Sequence, residues 1–360
     1  MRRIFIVACL LFISEVATGQ KAIEIVHFDI GQGDATLIVS TLEDNSTITV
    51  LFDAGGYSRL SGEDAGAIIN GYLMEEGIEQ IDYLIISHYD ADHIGGIVAG
   101  GHNNIYETSF AIGPDGQENT GDDIRVINVI DRGDDDPPKS TIFQEYLNFT
   151  GSSNRMSIDS RSKLNYKIRL GSDAEMTCIA ANGFVINRSS AVQYTNTENE
   201  RSLSFILRYR DFDYLISGDL IGRRYGAENA RVEEAVGEYI RRENINIDVL
   251  HVNHHGANNT SDEAFLNYIE AEIAIISCGD GNSHGHPTLE TMERLIGANV
   301  QQIFQTNLGS TVGEVPESVN TYRSVFDGHV VLKTDGSEYV IYKYGYPAHK
   351  GYYFSFTCDE

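Results

Sequence analysis

The run Ile81–Ile86, apolar but for Asp82, leads directly into Ser87-His88-Tyr89-Asp90-Ala91-Asp92-His93-Ile94-Gly95-Gly96, and this junction constrains the fold more than any other feature of the chain. Such a run reads as a strand buried on both faces. Two imidazoles and two carboxylates then crowd into the six residues from His88 to His93, just before a glycine pair. A solvated acidic loop with helix-capping Asp is the bland alternative. Lone-pair donors at a strand end can instead converge on a divalent cation.

The pattern recurs in kind. Leu215-Ile216-Ser217-Gly218-Asp219 ends another apolar stretch in an acid, which is poorly tolerated unless paired, hydrogen-bonded or ligating. Val252-Asn253-His254-His255-Gly256 closes the run Ile247–Val252. Ser277-Cys278-Gly279-Asp280-Gly281-Asn282-Ser283-His284-Gly285-His286-Pro287 follows Ile273–Ser277. It is either a plain Gly-rich turn or a source of a second donor or a proton from His286.

The elements around these loops alternate. Strands are expected from Ile23, from Thr36 to Val39 and over Ile48–Phe52, which opens into Asp53-Ala54-Gly55-Gly56. A hairpin is expected over Leu203–Ser217 and another over Gly328–Lys343, with helices over Ala65–Glu76, Ala230–Glu243, Glu263–Glu270 and Leu289–Ile296. Strand, helix and strand in this order argue for an α/β layered domain. Residues 98–200 have a different texture of short apolar pieces and Gly, Asp and Pro turns. They read as an elaborated region of loops and short strands inserted in the core architecture. Asp115, Asn119 and Asp122 resemble part of a calcium loop, but the full spacing and terminal Glu are missing, so an acidic turn is expected.

Residues 1–19 read as a signal peptide. Arg2 and Arg3 precede an apolar stretch through Ile13, and Ala17 and Gly19 sit at the spacing a signal peptidase prefers. The run is shorter than the ~20 residues needed to span a bilayer. The mature part, 20–360, is therefore expected to be secreted or periplasmic, with no membrane partner. Cys178, Cys278 and Cys358 leave one disulfide plus one thiol possible. The net charge of −27 repels long nucleic-acid duplexes, and no basic stripe offsets it.

Taken together, His27-Phe28-Asp29-Ile30-Gly31-Gln32-Gly33-Asp34, Asp53-Ala54-Gly55-Gly56, Ser87–Gly96, Ser202-Leu203, Ser217-Gly218-Asp219, His254-His255-Gly256, Ser277–Pro287 and Val330–Gly336 resemble the metallo-β-lactamase superfamily. Within it, they are most similar to the β-lactamase-like domain of ComEC-type competence proteins. The resemblance implies an αββα sandwich with metals at one edge. By the same resemblance His88 and Asp90 bind one metal, Asp92 and His93 the other, Asp219 bridges them, and His254 or His255 completes the second site. Asp53 is implied as a buried structural acid, and Gln32, Gly33 and Asp34 as pocket lining, with Asn282 in the substrate-binding set. The family at large has His where this chain has Asp90. A counterpart of the His that usually completes the first site is missing, because Thr195–Arg201 offers only Asn196, Glu198, Asn199 and Glu200.

These roles imply hydrolysis by metal-activated water, with Asp90 or Asp92 orienting the nucleophile. His286, or the His of 254 and 255 that does not ligate, would protonate the leaving group. One or two Zn²⁺ are the default cofactor, with Mn²⁺ or Fe²⁺ suited to the carboxylate-rich set. The expected substrate is a small anionic phosphoric ester or a short single-stranded nucleic acid. The competing readings are a true β-lactamase and a metal-stabilised binding module without catalysis.

Overall fold

In a computed structural model of the protein, residues 22–56, 64–98, 100–102, 105–189, 191–192, 197–222, 232–310, 315–345 and 353–358 are described. Side-chain alternation decides the layering. In β1 (Ile23–His27), β2 (Thr36–Thr41) and β3 (Thr47–Phe52), Ile25, Ile38, Val50 and Phe52 enter one apolar cluster. Their neighbours Val26, Leu37 and Leu51 leave on the opposite face and enter a second. The sheet continues through β4 (Gln80–Ile85), while β5 (Gly100–His102) and β6 (Ile105–Glu107) form a separate short ribbon. Beyond β4 come β7 (Arg125–Asp131) and β8 (Asn154–Ser157), both parallel to it.

The second sheet is built from β9 (Lys167–Arg169), β10 (Ala174–Ala181), β11 (Phe184–Val185), β12 (Ser204–Tyr209) and β13 (Phe212–Ser217). It goes on through β14 (Val249–His251), β15 (Ile273–Ile276), β16 (Gln302–Gln305) and β17 (Arg323–Val325). The chain then returns to the first sheet as β18 (Val330–Thr334), β19 (Glu338–Lys343) and β20 (Tyr353–Thr357). The strand orders are β20-β19-β18-β1-β2-β3-β4-β7-β8 and β11-β10-β12-β13-β14-β15-β16-β17, with β9 on β10.

Residues from both inner faces, among them Phe52, Ile85, Phe205, Tyr214 and Ile216, fill the space between the sheets. Helices Ala65–Glu75 and Thr141–Thr150 cover the outer face of the first sheet. Helices Val232–Arg242, Glu263–Ile269 and Leu289–Gly297 cover that of the second. The order of layers is helix, sheet, sheet, helix, as expected. Each inner-face aromatic contributes about 2–3 kcal/mol on burial.

The middle stretch is built into both sheets. β7 lies between β4 and β8, and β10 pairs with β12 over most of its length. The sequence hid β7 because it ends in charge: Asp131 and Arg132 are fully buried yet resemble a loop on paper. Asp115 and Asp122 do form an acidic turn, with Asp115 N–H donating to Asp122 Oδ2 and Gln117 N–H to Asp115 Oδ1. The three described cysteines are unpaired. The proposed leader lies outside the described residues, among which no helix is long and apolar enough to cross a membrane.

Candidate metal centre

β3, β4 and β7 run parallel in one sheet, and β13, β14 and β15 in the other. Their C-terminal ends meet at one edge of the sandwich, where strand-end loops of α/β sheets build sites. Backbone hydrogen bonds knit the loops together: Asp34 N donates to Asp92 O (2.9 Å), Gly55 N to Asp34 O (2.7 Å) and Ala54 N to His93 O (2.9 Å). A Cβ at Gly33 would fall 2.7 Å from Asp92 O, so only glycine permits this approach. Gly218 does the same beneath Asp219, where a Cβ would lie 2.3 Å from Ser87 Oγ.

Asp53 organises the centre. Its Oδ1 accepts from Ser87 N (2.7 Å), and its Oδ2 accepts from Ser87 Oγ (2.7 Å) and faces His93 Nδ1 at 2.8 Å. A carboxylate only accepts, so His93 carries its proton on Nδ1 and aims Nε2 into the site. Because Ser87 Oγ spends its hydrogen on Asp53, it accepts from His88 Nδ1 (2.9 Å), which leaves His88 Nε2 facing inward. His255 Nδ1 donates to Ser277 O (3.1 Å), so its Nε2 also faces inward. All three Nε2 atoms are buried without a hydrogen-bond partner. An outer acceptor that fixes the ring and a bare inner nitrogen are the hallmarks of metal-ligating histidine.

Asp219 stands in the middle. His93 Nε2 lies 3.1 Å and His255 Nε2 3.9 Å from its Oδ1; His254 Nε2 lies 3.6 Å and His88 Nε2 3.9 Å from its Oδ2. Asp90 Oδ2 is 3.6 Å from His88 Nε2, and Asp92 Oδ2 is 3.4 Å from His255 Nε2. Donor atoms of Asp34, His93, Asp219 and His255 all lie within 4.8 Å of one another. Carboxylate and imidazole lone pairs at such separations repel unless positive charge sits between them.

The metal-free chain recruits that charge as protons. Burial opposes charge on His93, but Asp219 and Asp53 outweigh it and hold the ring well above its usual value. Burial likewise opposes charge on His255, yet Asp219 and Asp34 raise it to about 9. Burial would raise Asp219, but His93, His254 and His255 hold it well below the usual carboxylate range. Buried carboxylates, fixed imidazole tautomers and orphaned nitrogens fit a divalent cation.

The geometry adds Asp34, read from sequence only as pocket lining, to the candidate donors. His251 was missed: its Nε2 lies 3.1 Å from Asp34 Oδ1 and 3.2 Å from Ser277 Oγ. The signal was a lone imidazole within an otherwise apolar strand, Val249-Leu250-His251-Val252. Gln32 is buried beside the Ser277–Pro287 loop, its Oε1 accepting from Gly279 N at 3.4 Å and its Nε2 unpartnered. Asn282 corrects its expectation as a substrate contact. Its amide donates to Gly279 O (2.8 Å) and His286 O (2.6 Å), and its oxygen accepts from His286 N (3.0 Å). With every polar atom committed, Asn282 braces the loop instead. His286 lies close by, its ring 5.3 Å from that of His254. Burial, then His255 and His254, lower His286 to about 3, so the ring is neutral near pH 7.

A clamp sets the outer wall. Glu198 Oε1 accepts from Tyr89 N (3.0 Å) and Arg132 Nε (2.6 Å), and Oε2 from Arg132 Nη2 (2.7 Å). This ties the His88–Asp90 segment to the 3₁₀ turn Asn199–Arg201.

Residues 29–99 match the family model described as the metallo-beta-lactamase superfamily. In this segment the chain resembles the metallo-β-lactamase superfamily. It is 22% identical over 314 residues to ComE operon protein 3 of Bacillus subtilis, covering 84% of this chain and 34% of that one. It is 26% identical over 275 residues to Recombination protein 2 of Haemophilus influenzae, covering 74% and 26%. The chain thus spans about a third or less of the length of these curated relatives. Among solved structures, a diphosphatase from the PhnP family aligns with a TM-score of 0.40 at 10% identity, over 87% of this chain and 98% of that one.

Proposed function

We propose that the protein is an exported metal-dependent hydrolase of phosphoric esters, with phosphodiesters as the preferred class. The observation that carries this reading is the set of three buried Nε2 atoms, each with its tautomer fixed from behind, turned toward the two oxygens of Asp219. When bound there, Zn²⁺, Mn²⁺ or Fe²⁺ supplies Lewis acidity and lowers the pKa of a water toward neutrality.

The chain's own residues do the rest. Asp219 spans both halves of the centre, and His88, His93 and His255 hold the cations from fixed positions. Asp90, whose side chain is 44% exposed, faces solvent and orients the attacking water. Neutral His286 stands beside His254 at the mouth of the site, where it offers a ring N–H to the leaving oxygen. Asp53, Ser87 and Ser277 hold the rings and touch no substrate.

A net charge of −27 and the absence of a basic stripe favour a small ester or a short single strand over a long duplex. The name Recombination protein 2 supports a nucleic-acid phosphodiester over a lactam. The test uses metal-loaded protein against a chromogenic phosphodiester, single-stranded DNA and a cephalosporin, beside Asp219→Ala. Phosphodiester turnover that Asp219→Ala abolishes supports the proposal. Cephalosporin turnover alone, or a metal-loaded protein inert toward every ester, would refute it. Export is tested separately, by whether the N-terminus of the protein recovered outside the cytoplasm begins near Gln20.

A further inference from the structure

Two histidines adjacent in sequence rarely serve one ion, because consecutive side chains point apart. Here the backbone exaggerates the divergence. His254 (φ 50, ψ 43) and His255 (φ 52, ψ 22) both adopt the left-handed conformation, and Gly256 follows at φ 76. Non-glycine residues avoid this region at a cost of about 1–2 kcal/mol each, so a consecutive pair marks a site where orientation matters. Their rings end 6.3 Å apart at an interplanar angle of 62°.

They also reach different atoms. His255 Nε2 approaches Asp92 Oδ2 (3.4 Å) and Asp219 Oδ1 (3.9 Å). His254 Nε2 approaches Asp219 Oδ2 (3.6 Å), the same oxygen that faces His88 Nε2 at 3.9 Å. Asn199 stands against both of the latter lone pairs: its Nδ2 lies 3.2 Å from His254 Nε2 and 3.4 Å from Asp219 Oδ2. Its carbonyl is held in turn, since Ser202 Oγ donates to Asn199 O (2.7 Å) and accepts from Asp219 N (3.0 Å). Thus Asn199 belongs to the same rigid corner as Asp219.

We propose that the two histidines hold different cations: His255 with His93, Asp92 and Asp34 on the Oδ1 face of Asp219, and His254 with His88 and Asp90 on the Oδ2 face. On the Oδ2 face the Asn199 amide caps the subsite until a cation displaces it. His254 thereby supplies the imidazole that the Thr195–Arg201 segment lacks. The displaced amide makes the Oδ2 subsite the weaker of the two. This inference rests on reading the cluster as a metal centre and deepens it.

The test is a Zn²⁺ titration of chelator-stripped full-length protein by calorimetry, with stoichiometry from equilibrium dialysis. The parent is expected to take up two equivalents in two steps. His254→Ala keeps the tighter step and weakens the other by about tenfold or more, whereas His255→Ala weakens the tighter step. Asn199→His replaces the cap with a ligand at a half-buried position and tightens the weaker step by about tenfold. A parent that binds one equivalent, a His254→Ala protein with both steps unchanged, or an Asn199→His protein with an unchanged weaker step would overturn the assignment. Two bound equivalents without phosphodiester turnover would sink the hydrolase and leave this inference standing. One equivalent with turnover would do the reverse.

Discussion

Asp131 and Asp219 are both buried carboxylates at the end of a strand in the same sandwich, yet their surroundings differ completely. Asp131 is saturated: Oδ1 accepts from Gly133 N (2.9 Å) and Ser157 Oγ (2.7 Å), and Oδ2 from Tyr146 OH (2.7 Å) and Arg155 Nε (2.6 Å). Asp219 Oδ1 has no hydrogen-bond donor, although four imidazoles lie within 3.9 Å of its two oxygens. Burying a carboxylate is tolerable when donors compensate it. The first carboxylate is complete as folded and does architecture; the second is incomplete as folded and awaits a partner from solution.

Exchanging the two roles gives the largest effects. Asp219→Ala should cut phosphodiester turnover by about a thousandfold or more and strip bound metal while leaving the chelator-treated fold intact. Turnover within tenfold of the parent would erase the distinction. Asp131→Ala should do the opposite, lowering stability in urea by about 2–4 kcal/mol because Gly133 N, Ser157 Oγ, Tyr146 OH and Arg155 Nε lose their common acceptor while Arg155 keeps only Asp134, with metal stoichiometry of the folded fraction unchanged. Loss of metal without loss of stability would contradict it.

Glu233 sharpens the comparison as an intermediate case. Its Oε1 accepts from Asn253 Nδ2 (2.8 Å), Thr260 Oγ1 (2.9 Å) and Ser261 N (2.8 Å), and no ion pair to it is found among the described residues. Burial, then Asp262, push it up to about 7 from the usual 4.5. The folded chain then binds this proton more tightly than the unfolded chain. Stability falls as pH rises from about 4.5 to about 7 and stays reduced above that. Glu233→Gln cannot ionise, so its stability relative to the parent should rise by about 3 kcal/mol across that window. Parallel stability curves from pH 4.5 to 8 would refute the assignment. The smallest effect belongs to Asp53→Asn, which touches no cation in this reading. It should weaken both metal-binding steps by about 10- to 100-fold, and weakening of one alone would show that its hold is not shared.

Much of this was legible in the sequence where strands are largely apolar. Ile81–Ile86 and Ile48–Phe52 announced themselves because parallel strands buried on both faces admit little else. The loops after them stood out by contrast, and His88, Asp90, Asp92, His93, Asp219, His254 and His255 all meet at one edge. Elements whose polar residues turn inward were harder to read. β7 was hidden because Asn128, Asp131 and Arg132 look solvated until Tyr146, Arg155 and Glu198 are brought to them. Which carboxylates converge was equally hidden: Asp34 and His251 lie 217 positions apart and meet through sheet packing alone. Asn282 misled because a loop amide beside a histidine resembles a contact for ligand.

Asp53 has a kinetic consequence. A single carboxylate fixes His93 directly and His88 through Ser87. Both rings are therefore aimed before any ion arrives, and capture needs no side chain to search for its rotamer. Ion uptake should then run at the pace at which the ion sheds its own water and the site its protons, with the protein acting as a mould rather than a closing hand.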